Sequence, residues 1–162
     1  MIILFTAFNG KNNSSKILLD NINATKNKKL YLKNSFKTSV EQLENILKKD
    51  YYDYIISFGQ APLEKNTIKI ELQGSFQDSY KTNFDYNYIK KQLELNNYNV
   101  LISNNAGKYL CNNIYYHGLK YINKHRLKNK IIFIHIPDIN NITDITNLSN
   151  IFNNLIYNGI IE

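Results

Sequence analysis

Tryptophan is absent from this chain of 162 residues, cysteine, methionine and arginine occur once each, and proline occurs twice. One cysteine cannot close an internal disulfide, so a reducing compartment, the cytoplasm, is the expected location. Arg126 as the sole arginine leaves the chain without the side chain best suited to bidentate contacts with bases and phosphates. The formal net charge is +7, but the lysines are scattered along the chain rather than gathered in a stripe. They are therefore read as a solvated surface, and no nucleic-acid partner is expected. No apolar run approaches the ~18–20 residues of a membrane span, so no membrane partner is expected either. The opening MIILFTAF is short and has no basic segment before it, so it reads as a first buried strand and not as a secretion signal. No two Cys or His residues share a ligand-like spacing, and no metal is expected.

What is present suits an ordinary folded domain: 43% hydrophobic and 20% charged residues. No Pro-, Gly- or Ser-rich linker and no internal repeat divides the chain, which reads as one domain over 1–162. Apolar runs at 1–7, 54–58, 100–102 and 131–136 predict buried strands, with a weak strand at 29–32. Ile68-Lys69-Ile70-Glu71 alternates with a period of two and predicts a half-exposed strand. Helical spacing predicts helices over 14–25, about 40–47 (Ser39 at its start), 86–95, 109–121 and 143–157. Strands separated by helices predict a three-layer α/β/α sandwich around a mostly parallel, mixed central sheet.

In such sheets function gathers at the carboxyl ends of the strands. Glu71 closes one strand, His135 lies near the end of another, and Cys111 lies just inside the helix after a third. A helix starting near Asn105 or Ala106 would put the thiol in its first two turns, where the dipole favours a thiolate. The bland alternative is an inert, buried cysteine. A histidine within Phe133-Ile134-His135-Ile136-Pro137 is flanked by core residues, so a buried imidazole there requires a partner.

The segment Ser103-Asn104-Asn105-Ala106-Gly107-Lys108-Tyr109-Leu110-Cys111-Asn112 resembles the nucleophile motif of pyroglutamyl peptidase I, in which S-A-G-x-Y-L-C-N is typical. The His135 strand resembles that family's catalytic histidine strand. Gly59-Gln60-Ala61 with Ile68 to Glu71 resembles its glutamine turn and glutamate strand, and Leu4 to Phe8 resembles its first strand. The resemblance implies a cysteine hydrolase that removes N-terminal pyroglutamate (5-oxoproline) from peptides without a cofactor. Cys111 would be the nucleophile, His135 the base, and Glu71 the residue orienting His135. Phe8 would be one wall of the lactam pocket and Gln60 a polar contact to the ring. The family forms oligomers, which makes a homo-oligomer a candidate here, but the loop after Glu71 that could supply assembly contacts is shortened, so the sequence leaves the oligomeric state open.

Three stretches depart from the family pattern. The usual F-x-P-F-G-G loop is replaced by Phe8-Asn9-Gly10-Lys11-Asn12, without a second aromatic wall. Pro62-Leu63-Glu64-Lys65 stands in place of Gly-Arg, and Leu72-Gln73-Gly74 in place of Arg-Val-Ala, followed by a shortened loop. Phe76, Tyr80 and Phe84 are candidates to rebuild the pocket from that side. Two other readings stay open: a thiol hydrolase of another small amide or acyl group, and a non-catalytic binding protein on the same scaffold.

Overall fold

The computed structural model describes residues 1–157. The apolar run at the start of the chain is a strand buried on both faces, β1 (Ile3–Phe8). It is followed by α1 (Ser14–Asn21), β2 (Lys28–Leu32), α2 (Phe36–Lys49), β3 (Tyr54–Gln60), β4 (Thr67–Glu71), β5 (Gln73–Ser75) and β6 (Ser79–Lys81). Then come α3 (Asn87–Leu95), β7 (Asn99–Ser103), α4 (Leu110–Lys124), β8 (Lys130–Ile136), a 3-10 turn (Ile139–Asn141) and α5 (Ile145–Tyr157). Six strands form one sheet in the order β2-β1-β3-β8-β4-β7. All neighbours are parallel except β4 and β8, which run antiparallel.

Strand alternation sorts side chains onto two faces. Ile3, Phe5, Ile56, Phe58, Ile68, Ile70, Ile132 and Ile134 pack under α1, α3 and α5. Leu4, Phe8, Ile55, Ile131 and Phe133 pack under α2 and α4. The three-layer α/β/α expectation is met.

Several local expectations are corrected. Helix α2 begins a turn early, because Ser35 rather than Ser39 supplies the cap, its Oγ accepting from the Thr38 N–H at 3.1 Å. Strand β3 continues through Gly59 to Gln60. The predicted buried strand at 100–102 is the sheet edge, with Leu101 44% and Ile102 40% exposed. Strand β4 is not half-exposed: Ile68, Ile70 and Glu71 are all buried, because it runs between β8 and β7. Its alternation separates a core face from a polar interior, not from solvent.

A short antiparallel hairpin, β5–β6, was not foreseen, and it clamps onto α4. The Asn112 side chain accepts from the Ser75 N–H at 2.9 Å and donates to the Ser75 carbonyl at 2.6 Å. A Cβ on Gly74 would lie 2.5 Å from the Tyr116 backbone nitrogen. Helix backbone cannot yield as a side-chain tip can. Gly74→Ala is therefore expected to destabilise the protein by about 1–3 kcal/mol in urea unfolding; an unchanged midpoint would show that the hairpin lifts off α4 at no cost.

Candidate active site

His135 is the last residue of β8 on the α4 face, two residues beyond Phe133, and is 5% exposed. Because β4 is antiparallel to β8, Lys69 stands opposite His135 and Glu71 stands opposite Phe133. Glu71 therefore lies deeper in the sheet than the carboxyl-end rule implied, and reaches diagonally along the ladder. Its Oε1 is 2.8 Å from His135 Nδ1 and 3.5 Å from Lys69 Nζ. Glu71 is 0% exposed, and its Oε2 has no hydrogen-bond partner among the described residues. A carboxylate accepting at Nδ1 sets the tautomer in which Nε2 carries the lone pair.

Cys111 arrives from the other side. The loop after β7 turns back at Gly107, whose φ of +88° suits glycine, and α4 begins at Leu110, later than the Asn105 or Ala106 start expected. Cys111 is thus the second residue of the helix, where backbone N–H groups lack intrahelical acceptors. Its sulfur rests over Gly59, the β3 residue paired with His135. A Cβ at Gly59 would lie 2.5 Å from Cys111 Sγ and 2.8 Å from the Phe133 ring. One turn on, the Tyr115 hydroxyl donates to the Glu71 carbonyl at 2.8 Å, tying α4 to β4. Gly59 and Tyr115 were not singled out for these tasks. The apolar spacing of α4 marks Tyr115 as inward-facing, but nothing in the sequence marks Gly59 as the seat of a sulfur.

Burial, reinforced by the Glu71 charge, pushes the Cys111 thiol up to about 12. This reverses the expectation of a thiolate favoured by the helix start: at rest the group is a neutral thiol. Among the described residues no group of three His, Cys, Asp or Glu side chains stands close enough to hold a metal ion.

A cavity of about 330 Å³ opens beside the sulfur, lined by Phe8, Asn13, Asn34, Phe36, Gln60 and Tyr109 among others. Phe8 is 4% exposed and belongs to the core as much as to the cavity. Gln60 Oε1 accepts from the Ser14 N–H at 2.8 Å, holding the side chain across the start of α1. Of the three aromatics considered for rebuilding the pocket, none lines this cavity. Phe84 is buried on the opposite face of the sheet, Tyr80 sits in β6 of the hairpin and packs on Tyr116 of α4, and Phe76 is exposed. Phe36 and Tyr109 supply the aromatic walls instead.

Residues 69–154, more than half of the chain, match the family model for pyroglutamyl peptidase. The chain belongs to the pyroglutamyl peptidase family. It is 32% identical to the pyrrolidone-carboxylate peptidase of Thermosipho africanus, over 75% of this chain and 70% of that one. It is 29% identical to that of Thermosipho melanesiensis, over 82% and 79%. The structure of pyroglutamyl peptidase I from Bacillus amyloliquefaciens superposes with a TM-score of 0.84 at 19% identity, covering 94% of this chain and 93% of that one, which establishes the shared fold. Within this pyroglutamyl peptidase scaffold, the aromatic missing from the first loop is offset by aromatics from α2 and the α4 approach.

Two outcomes follow from the geometry. Gly59→Ala should displace the sulfur and lower any Cys111-dependent turnover by about 100-fold, with the fold retained by circular dichroism; full activity would show that the sulfur is not confined there. In His135→Ala the thiol has no base beside it and stays protonated below its raised pKa. Iodoacetamide should then label Cys111 slowly through neutral pH, accelerating only far above the ~8.5 of an ordinary thiol. Fast neutral labelling of that variant would show that His135 is not what ionises the sulfur.

Proposed function

We propose that this chain is a cysteine peptidase that removes N-terminal pyroglutamate from peptides, with Cys111 as nucleophile, His135 as general base and acid, and Glu71 orienting His135. The observation that carries the reading is the seating of the Cys111 sulfur over Gly59, beside a histidine whose Nδ1 is held by a buried carboxylate at 2.8 Å. Family membership supplies the reaction. The small, open cavity lined by Phe8, Phe36, Tyr109 and the Gln60 amide suits a lactam ring, which offers one N–H and one C=O on an apolar body.

Each step uses groups already described. Because the thiol is neutral at rest, attack begins with transfer of its proton to His135 Nε2 as sulfur bonds to the pyroglutamyl carbonyl carbon. Glu71 stabilises the imidazolium so formed. The carbonyl oxygen gains negative charge and is met by the free backbone N–H groups in the first turn of α4, Cys111's own among them. His135 returns the proton to the departing amine, and the C–N bond breaks to leave a thioester. Water, deprotonated by His135, then attacks the thioester and releases pyroglutamate and the thiol. Phe8 walls the ring, and Gln60, whose Oε1 is held by Ser14, directs its amide nitrogen for a ring carbonyl. A reducing compartment such as the cytoplasm keeps such a thiol active.

Hydrolysis of the pyroglutamyl amide of 7-amino-4-methylcoumarin tests this directly. Wild type should release the fluorophore, and Cys111→Ala should lose about 10³-fold or more of kcat/KM. A folded wild type that leaves this substrate intact while its thiol remains reactive would overturn the substrate and leave a thiol hydrolase of other specificity. Glu71→Gln separates orientation from acidity. Burial, the main cause of the raised thiol, stays, but the added Glu71 charge is removed, so Cys111 should ionise at somewhat lower pH, yet kcat should fall by about 10- to 100-fold because the imidazolium loses its partner. Unchanged kcat would remove Glu71 from the mechanism.

A further inference from the structure

A second, larger cavity of about 580 Å³ lies against the outer side of α4, between that helix and the β5–β6 hairpin. It shares two wall residues, Phe36 and Tyr109, with the cavity beside Cys111. The two are therefore consecutive hollows either side of the first turn of α4, the nearer one ending at Gln60 and Phe8 and the farther one running under Phe76.

Six of the eight phenylalanines are buried; the two exposed ones, Phe36 at 54% and Phe76 at 77%, both rim this groove. Tyr109, at 80%, is the third exposed aromatic on its edge. Phe76 stacks obliquely on Tyr116 with ring centroids 6.1 Å apart, and Lys120 Nζ lies 5.5 Å from the centre of the same tyrosine ring. The charge of the groove is positive. Lys108 and Lys120 take part in no ion pair among the described residues. The one carboxylate, Asp78, already accepts from the Tyr116 hydroxyl at 2.5 Å. Burial holds His117 below the usual histidine range, so it adds no charge at neutral pH.

Resting on the reading of Cys111 as a pyroglutamyl-transferring nucleophile, we infer that this groove receives the residue just beyond the scissile bond, and that the enzyme prefers short pyroglutamyl peptides with an aromatic residue there and a free carboxylate close behind. With the lactam ring in the nearer cavity, the shared walls Tyr109 and Phe36 give the leaving peptide a path into the second hollow. An aromatic side chain finds Phe76, Tyr116 and Phe36 around it. A pyroglutamyl peptide has no terminal ammonium, its nitrogen being closed in the lactam, so its one terminal charge is the carboxylate. In a dipeptide that carboxylate falls within the groove, beside the unpaired lysines.

The test compares kcat/KM for pyroglutamyl-glycinamide, pyroglutamyl-phenylalaninamide and pyroglutamyl-phenylalanine at low ionic strength. Wild type should favour phenylalaninamide over glycinamide by about tenfold, and the free acid over its amide by a further factor of about three. Phe76→Ala should bring the first ratio to within about twofold of unity. Lys108→Ala with Lys120→Ala should abolish the second ratio and spare the first. Equal turnover of all three by wild type, or ratios that survive these substitutions, would overturn the groove assignment and leave the pyroglutamyl reading intact. Cleavage of none by folded wild type would overturn the pyroglutamyl reading and this inference with it.

Discussion

The sulfur of Cys111 reaches its position because β3 carries no side chain at Gly59. A single methyl group there would occupy the space of the sulfur and press on the Phe133 ring. With the space open, the first turn of α4 comes down onto the sheet beside His135, and the unpaired N–H groups of that turn come down with it. The same docking lays Tyr115 across Phe133, where its hydroxyl reaches the Glu71 carbonyl. It also aligns Asn112 with the β5–β6 hairpin, whose Gly74 lets the helix backbone come equally close. The position of the Cys111 thiol, the free N–H groups beside it, the Tyr109 wall of the cavity and the α4 wall of the neighbouring groove all follow from one close helix–sheet approach.

Beneath that contact lies a group that stability alone does not favour. Glu71 is wholly buried, with one oxygen shared between His135 and Lys69 and the other unpartnered among the described residues. Removing a carboxylate from water costs several kcal/mol, and a half-satisfied one recovers only part of it. Lys69 Nζ, 3.5 Å away, offsets part of that cost at rest, and under the proposed mechanism an imidazolium on His135 would offset more. Burial chiefly, and the Glu71 charge in addition, push the Cys111 thiol up. Under the proposed mechanism thiolate and imidazolium would form together as the reaction begins, unlike a site built around a standing thiolate.

Much of this protein was determined by its sequence alone. The strands at Ile3–Phe8 and Lys130–Ile136, the alternation of helices with strands and the family motif around Cys111 are local or contiguous features, set by periodicity and by residues adjacent in the chain. Identifying Cys111, His135 and Glu71 as candidates required no coordinates. What only the tertiary structure decided depends on residues distant in the chain meeting in space. The antiparallel insertion of β4 turned a seemingly solvent-facing Lys69–Glu71 face inward and sank Glu71 to the level of Phe133. The cavity beside Cys111 is lined by Phe36 and Tyr109, on α2 and before α4, and not by Phe76, Tyr80 or Phe84. The thiol is raised rather than lowered because its ionisation is governed by the dielectric and charges around it, and a sequence carries no record of its surroundings. Periodicity tells which side of a strand is polar; whether that side meets water or another buried charge is settled only when the neighbouring strand is in place.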